Sequence, residues 1–170
     1  KSYGSLVHLL LEHLAAIEPD QRSAAAAQLT QNVDARFAEQ ALAEAIGCLE
    51  TPALSPIFSS TALPEVPVTA NLGKARLYGI IDRLIIEQGR ILAVDFKTNR
   101  TVPDAPDACP EGLLRQMGAY AHALRAIYPD HKIETAILWT QTRTLMPLPH
   151  NTVSAALQRT GHLDADITAS

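Results

Sequence analysis

The chain opens with hydrophobic patterns that are typical of helices. Residues 5–17 are apolar almost all round, which predicts a buried helix that ends before Pro19. Two Ala-rich stretches follow, and the second is predicted to begin near Asp34 and to end before Pro52. We therefore expect a mainly helical region over residues 1–58.

After this region the hydrophobic positions follow the spacing of strands. Residues 63–69 alternate between apolar and polar side chains, but two prolines that cannot donate a hydrogen bond to a sheet predict an edge strand. Two runs rich in Ile, Leu and Val surround Gln88 and Gly89, which predicts a β-hairpin. One amphipathic helix and two more strands are expected at residues 111–128, 132–140 and 143–148.

This order of elements predicts an α/β domain with a mixed sheet. We expect one domain over residues 1–170, with its core at 62–148 and a C-terminal tail at 150–170 that holds at most one short helix. The sequence contains neither an apolar run long enough for a membrane span nor a secretory leader. Because the first residue is Lys1 and not Met, we expect a piece of a longer protein.

Cysteine content and charge limit the classes of protein to which this chain can belong. Cys48 and Cys109 are far apart and form no CxxC pair, so we expect no iron–sulfur cluster. Two isolated thiols fit a reducing cytoplasm. The net charge of -4 is unusual for a nucleic-acid-binding protein, but residues 71–145 hold ten of the 14 basic residues against eight acidic ones. This central segment is therefore suited to face a polyanion.

The predicted hairpin places two acids opposite each other. If the chain turns at Gln88–Gly89, the register brings Asp82 opposite Asp95. Directly opposed side chains of an antiparallel pair project from the same face, with Cβ atoms about 5 Å apart. Lys97 lies two residues beyond Asp95 and therefore projects from that face as well. Opposed like charges destabilise a sheet, so the pair requires an explanation.

Two interpretations of the acid pair follow from the residues. In the first, both acids lie at a solvated sheet end, and Lys97 is a local counter-charge. In the second, a divalent cation neutralises them, since Mg²⁺ is typically held by one or two carboxylates, waters and substrate phosphate. Asp82 lies in mid-strand between GII and RLII, where an exposed acid fits poorly, and this favours the cation.

Four segments in order resemble the RecB-type branch of the PD-(D/E)XK nucleases, and within it the nuclease domains of AddA-type helicase–nucleases. They are GSLVHLLLEHL, GIIDRL, ILAVDFKTNR and LLRQMGAYAHAL, and the ordered set covers Gly4 to about Leu148. Each segment alone is a weak signal, whereas four in order are a specific one. The resemblance implies a restriction-endonuclease-like domain, in which helices flank a mixed sheet. It also implies that this domain hydrolyses DNA with Mg²⁺ or Mn²⁺.

The resemblance also implies roles for individual residues. Asp82 matches the first acid of the motif, Asp95 the second acid and Lys97 the lysine. The imidazole of His8 and the backbone carbonyl of Phe96 would join both acids in the metal shell. Without the resemblance, a lone histidine on a buried helix would be interpreted as a core or cap residue.

Further residues have both a structural and a functional interpretation. Gln116 and Tyr120 are an i,i+4 pair on one helical face, which is either an ordinary amphipathic surface or, by the resemblance, a Q-x3-Y motif near the lysine or the DNA. Glu65 lies roughly where relatives carry an upstream acid. The donors after the second acid either end the strand or contact DNA phosphates, and they are Thr98, Asn99 and Arg100.

The leading hypothesis is a Mg²⁺-dependent nuclease that acts on single-stranded DNA delivered by a helicase during double-strand break repair. The resemblance implies helicase domains in the same parent chain, a second, AddB-like subunit, and a cytoplasmic, nucleoid-associated location. No GxxxxGK[ST] motif is present, so ATP hydrolysis would lie outside these residues. A catalytically silent nuclease-fold module is the alternative, but it would be expected to lack Asp82, Asp95 or Lys97. A hydrolase based on Cys or His is disfavoured because no nucleophile-elbow sequence occurs.

Overall fold

The computed structural model describes residues 2–169, and it describes side chains for residues 2–159. Its α-helices, numbered in chain order, are α1 Tyr3–Leu14, α2 Arg22–Leu29, α3 Ala35–Leu49, α4 Glu111–Ile127 and α5 His150–Ala169. Its strands are β1 Leu63–Leu72, β2 Ala75–Glu87, β3 Arg90–Lys97, β4 Lys132–Trp139 and β5 Thr144–Leu148.

The strands form one sheet with the order β1-β2-β3-β4-β5. β1, β2 and β3 are antiparallel neighbours. β3 and β4 run parallel, because the Lys132 N–H donates to the Gly89 carbonyl and, further along both strands, the Thr140 N–H donates to the Lys97 carbonyl. Helix α4 lies between β3 and β4 in the chain, as a parallel pair requires. β1 is an edge strand, as its prolines predict.

The chain divides into two compact units. The helical unit comprises residues 1–62, 96–102 and 138–145, and the sheet unit comprises residues 63–95, 103–137 and 146–170. Strand β3 passes from the sheet unit to the helical unit between Asp95 and Phe96, so the acid and the lysine of the D-x-K triplet belong to different units.

Apolar side chains of α1 form the centre of the helical unit. The buried positions follow the helical period, and α1 packs with them against α2 and α3. Ser2 caps α1 by accepting a hydrogen bond from the Ser5 N–H at 3.2 Å. Asp34 caps α3, which starts where the sequence predicts. The buried residues of α1 are Leu6, Val7, Leu10, Leu11 and Leu14.

The sheet unit is built from the β1–β2 hairpin, most of β3 and β4, and helices α4 and α5. Ile81, Leu84 and Ile91 are buried on the central strands. Helix α4 packs against β1, β2 and α5. Its packing on α5 depends on Gly118, because a Cβ at this position would collide with the Val153 carbonyl oxygen.

The predicted fold class is confirmed: the protein is an α/β fold with a mixed sheet flanked by helices and an N-terminal helical region. The expectation for the C-terminal tail was wrong in one respect, since α5 spans His150–Ala169 and is not a short helix. Val153 and Ala156 on this helix are buried, and tertiary packing of this kind stabilises a helix whose local pattern is weak.

None of the helices within residues 2–169 is long and apolar enough to cross a membrane.

Candidate active site

The β2–β3 hairpin has the register that the sequence predicts. Its ladder runs without interruption from the turn to Arg83 opposite Val94. Gly89 in the turn has a φ of 78°, a left-handed conformation that glycine adopts without steric cost. The next position in this register is Asp82 opposite Asp95, and both acids lie within their strands.

The two acids do not have the environment of a solvated strand end. Asp95 exposes 4% of its surface, and Asp82 is half-buried. Burial raises the free energy of a carboxylate, and a second carboxylate on the opposed residue raises it further. A hard divalent cation near both acids offsets these costs. The burial of Asp95 therefore favours the cation interpretation.

Tyr120 on α4 is held against β2 close to both acids. Its hydroxyl donates to the Ile80 carbonyl oxygen at 3.1 Å, and Gln116 Nε2 donates to the same hydroxyl at 2.9 Å. Burial, followed by the negative charge of Asp95 and that of Asp82, raises the pKa of Tyr120 to about 12. The hydroxyl therefore stays protonated at neutral pH. Tyr120 is 4% exposed and lies on the buried face of α4, and its role in the site stays a prediction.

Gly79 makes room for Tyr120. A Cβ at this position would lie 2.7 Å from Tyr120 Cε1 and 2.9 Å from the hydroxyl oxygen, both too close for real contacts. A glycine inside a strand normally weakens it and often marks a close approach by another group. Gly79 is thus a positioning residue that motif comparison missed, although a glycine within an otherwise apolar strand is its signal.

His8 on α1 contacts the residue that follows Asp95 in the chain. Its Nε2 lies 2.9 Å from the carbonyl oxygen of Phe96, and the two rings pack edge-on with centroids 5.6 Å apart. The distance from Nε2 to this oxygen is that of a hydrogen bond, in which a protonated Nε2 donates to the carbonyl oxygen. The contact brings together two of the groups that the family resemblance implies for the metal shell.

Lys97 ends β3, and its backbone is anchored on the residue that follows β4. The Lys97 carbonyl oxygen accepts a hydrogen bond from the Thr140 N–H at 3.0 Å. The Thr140 hydroxyl lies 3.2 Å from the same oxygen and 2.9 Å from Glu44 Oε2, so it can donate to either. Thr140 is fully buried. Sequence patterns gave no signal for Glu44 or Thr140, because each acts through a residue far away in the chain.

The three donors at the end of β3 have different environments. Thr98 is half-buried beside Gly4, where an added Cβ would lie 2.9 Å from Thr98 Oγ1. Asn99 and Arg100 are exposed, and the Gln141 side-chain amide donates to both of their carbonyl oxygens at 3.1 Å. Thr98 and Arg100 line a polar cavity of about 490 Å³ within the helical unit. Asn99 and Arg100 are therefore accessible to a ligand, whereas Thr98 is suited to hold the loop.

Glu65 is exposed and lies at an irregularity of β1. The β1–β2 ladder includes Pro64 and Val66 but omits Glu65, whose register position is opposite Asp82. Its φ is 47°, a left-handed value that costs a non-glycine residue about 1–3 kcal/mol. Irregularities of this kind redirect a side chain relative to its neighbours. The assignment of Glu65 as an upstream acid of the site stays a prediction.

The donor set fits a cation that keeps several water ligands. Among the residues that the structure describes, no three His, Cys, Asp or Glu side chains lie close enough together to hold a metal ion. Two carboxylates and a backbone oxygen are instead typical of Mg²⁺, which retains waters and binds substrate phosphate. A tetrahedral zinc site would need three or four side-chain ligands of its own.

A mixed sheet with an acid on one strand and an acid-x-lysine triplet on the next is the arrangement of restriction-endonuclease-like nucleases. The fold and the site define this class. The chain belongs to the PD-(D/E)XK nuclease superfamily, which it matches over residues 1–161. The resemblance of the four sequence segments is thereby confirmed.

Two known proteins illustrate the similarity. An ATP-dependent helicase/nuclease of Oenococcus oeni contains a subunit that is 37% identical over 62 residues, which are 36% of this chain and 5% of that protein. A solved structure of a predicted exonuclease from Eubacterium rectale has a TM-score of 0.63 and 16% identity, over 94% of this chain and 64% of the other. At this identity the second similarity shows the fold alone. The chain spans a small part of the first protein and less than two thirds of the second.

Proposed function

We propose that this chain is the nuclease part of a helicase–nuclease and hydrolyses phosphodiester bonds of single-stranded DNA with Mg²⁺ or Mn²⁺. The observation that carries the proposal is the hairpin register, which is paired as far as Arg83 opposite Val94. Continued by one position, this register brings Asp82 opposite the buried Asp95, and Lys97 follows two residues further along β3. Membership of the nuclease superfamily supplies the reaction class. The similarity to part of a helicase/nuclease subunit supports the proposal that the parent protein is a helicase–nuclease.

The proposed metal shell combines side chains and backbone. Asp82 and Asp95 supply carboxylate oxygens, Phe96 supplies its carbonyl oxygen and His8 supplies its imidazole. Phe96 directly follows Asp95 in β3, and His8 Nε2 lies 2.9 Å from the Phe96 carbonyl. Because no three His, Cys, Asp or Glu side chains among the described residues lie close enough together to hold an ion, the His8 imidazole would join the shell only when the ion binds. Waters and a phosphate oxygen would complete the coordination.

The residues of the site have distinct chemical tasks in this proposal. Asp82 and Asp95 would hold a divalent ion, which would supply Lewis-acid chemistry at a phosphoryl oxygen and would lower the pKa of a water molecule enough for attack at neutral pH. Lys97 directs its positive charge at the phosphate, where negative charge grows during the attack. The hydrogen bond from Thr140 fixes the backbone from which this lysine projects. Tyr120, held by Gln116, donates its hydroxyl proton to the Ile80 carbonyl and so fixes the β2 backbone two residues from Asp82.

A single strand delivered by a motor is the proposed substrate. The net charge of -4 agrees with DNA that is delivered to the site and not captured from solution. Asn99 and Arg100 are proposed to contact backbone phosphates, and Thr98 to support their loop. The parent protein would then combine this chain with helicase domains and with a second, AddB-like subunit. Double-strand break repair at the nucleoid, in the cytoplasm, is the setting that this assembly suggests.

Cleavage of DNA tests the proposal directly. We expect the purified chain to shorten an end-labelled single-stranded oligonucleotide in the presence of Mg²⁺ or Mn²⁺, and to leave it intact after addition of EDTA. Duplex DNA of the same sequence is the control, and it should be cut more slowly because both strands are paired. DNA that is bound but never cut, at any concentration of either ion, would instead support a catalytically silent binding module.

Replacement of His8 by alanine is expected to weaken binding of Mn²⁺ by about 10- to 100-fold, because one donor of the metal shell is lost. Isothermal titration calorimetry measures this affinity without DNA. His13→Ala is the matched control, since His13 lies on the same helix and is exposed. An unchanged affinity in His8→Ala would remove His8 from the shell.

A further inference from the structure

A small cavity lies between the β1–β2 hairpin and α4, within the sheet unit. Its volume is about 210 Å³, and its walls are mainly apolar, with Val68, Ala70 and Leu77 on the hairpin and Ala119 on the helix. Pockets for whole drug-sized ligands measure roughly 300–1,000 Å³. The cavity is therefore of a size that suits a single flat ring system.

Arg115 brings a hydrogen-bond donor into this cavity. Its Nε is buried and makes no hydrogen bond within the part of the chain whose side chains are described. Glu111, one turn earlier on α4, is bound at both oxygens by Arg159, at 2.6 and 3.0 Å. The guanidinium group that Arg115 adds to the wall is a cation with several N–H donors. The cavity thus fits a ligand that has flat apolar faces and at least one acceptor atom or π system for this cation.

The cavity lies next to residues of the candidate active site. Tyr120 and Gln116, which contact each other beside the two acids, form part of its wall. The Tyr120 hydroxyl is bonded to the Ile80 carbonyl, which is two residues, or about 7 Å, along β2 from Asp82. Tyr78 at the rim exposes 72% of its surface, which leaves its ring available for stacking. A strand whose phosphate lies at the acids would therefore pass this cavity.

We infer that the cavity is a nucleobase pocket, which takes one base of a single strand beside the phosphate held at Asp82 and Asp95. This inference rests on the proposed nuclease function. The base packs its faces between the apolar walls and Tyr78, and one of its ring nitrogens or oxygens accepts a hydrogen bond from Arg115. Every base has such an acceptor and two flat faces, so the pocket tolerates all sequences. A paired base is held in its stack, so the pocket selects single strands.

An apolar side chain of a partner protein is the competing occupant. It would place an apolar group beside the Arg115 guanidinium, whereas a base offers this cation both a π face and acceptor atoms, so the guanidinium favours a base. The tip of the hairpin also favours DNA, because Lys74 and Arg76 are exposed there and attract phosphates.

Gly112 allows the pocket to be filled without disturbing the protein. This residue lines the cavity on α4, and a Cβ at its position meets no atom within 4 Å. Gly112→Phe is therefore expected to fold and to block the pocket, and Gly112→Ala is its matched control. Arg115→Met removes the donor while it keeps most of the side-chain length, so it provides an independent second variant.

Fluorescence anisotropy in EDTA measures the affinity for a labelled oligothymidylate without any cleavage. Loss of one stacked base is expected to weaken binding about tenfold in Gly112→Phe and in Arg115→Met, whereas Gly112→Ala should bind like the wild type. A fully abasic oligonucleotide of the same length should bind the wild type as weakly as it binds Gly112→Phe, because it has no base to insert.

Two results would refute the assignment of the cavity as a nucleobase pocket. One is equal affinity of Gly112→Phe and Gly112→Ala for oligothymidylate. The other is a wild type that binds the abasic strand as tightly as the normal one. If Gly112→Phe has no cooperative melting transition, Arg115→Met decides the question. If Gly112→Phe keeps its DNA affinity but loses binding to an AddB-like protein, the cavity is a protein docking site. These measurements need no cleavage, so they test the pocket independently of the nuclease activity. A chain that binds DNA as described but never cleaves it would contradict the proposed function and would still support the pocket.

Discussion

Asp95→Ala is expected to abolish DNA cleavage, with kcat lowered by about 10³-fold or more. Asp95 is the proposed ion ligand with the least exposure, 4%, and the adjoining carbonyl of Phe96 is a second proposed ligand. Without this carboxylate the remaining acid, Asp82, cannot fix the ion against both the attacking water and the phosphate. Single-turnover cleavage of a labelled single strand at saturating Mg²⁺ measures the loss.

The same substitution is not expected to unfold the protein. Removal of a buried carboxylate ends its repulsion with Asp82 but also removes the interactions that Asp95 makes, so we expect a folded variant with a cooperative unfolding transition. Thermal unfolding followed by circular dichroism checks this. Asp104→Ala, in an exposed loop, is the control and should cleave like the wild type. Full activity in Asp95→Ala would rule out the mechanism, and Asp82→Ala is expected to behave in the same way as Asp95→Ala.

Lys97→Met is expected to lower kcat by about 10²- to 10³-fold, with Mn²⁺ affinity within about twofold of the wild type. The reason is that Lys97 is proposed to stabilise charge that develops only during the attack on phosphorus, whereas it donates nothing to the ion. Its backbone stays anchored by Thr140 in the variant, because the hydrogen bond uses the carbonyl oxygen and not the side chain.

Cleavage kinetics and calorimetry together separate this role from metal binding. Lys132→Met removes a lysine with a 77% exposed side chain from the start of β4, and it serves as the control for a general loss of positive charge. A Lys97→Met variant that loses ion affinity in proportion to its loss of cleavage would show that Lys97 supports the metal shell and not the reacting phosphate.

The hairpin was predictable from the sequence because its rules are local. Alternation of side chains and a turn at Gln88–Gly89 are enough to set the register of two adjacent strands. The pairing of Arg83 with Val94 confirms that register up to the position before the acids. The start of α3 at Asp34 was predictable for a similar reason, since a capping side chain acts within one turn of its helix.

Contacts between distant segments were not predictable in this way. Glu44 lies in an Ala-rich helix whose pattern does not distinguish it from other half-exposed acids, and only the tertiary structure brings it to Thr140. The contact of His8 with the Phe96 carbonyl likewise joins residues that no local spacing relates. For these parts of the site the family resemblance suggested candidate residues. Only the tertiary packing of α1 and α3 shows which atoms these helices bring into contact.

The edge strand β1 has a consequence for assembly. Pro64 and Pro67 have no N–H to donate, and the backbone between them is irregular at Glu65. Strand addition needs a regular row of donors and acceptors along an exposed edge, and β1 does not offer one over this stretch. A protein that binds along residues 64–67 must therefore recognise side chains, and a second copy of this chain cannot continue the sheet by regular strand pairing over these residues.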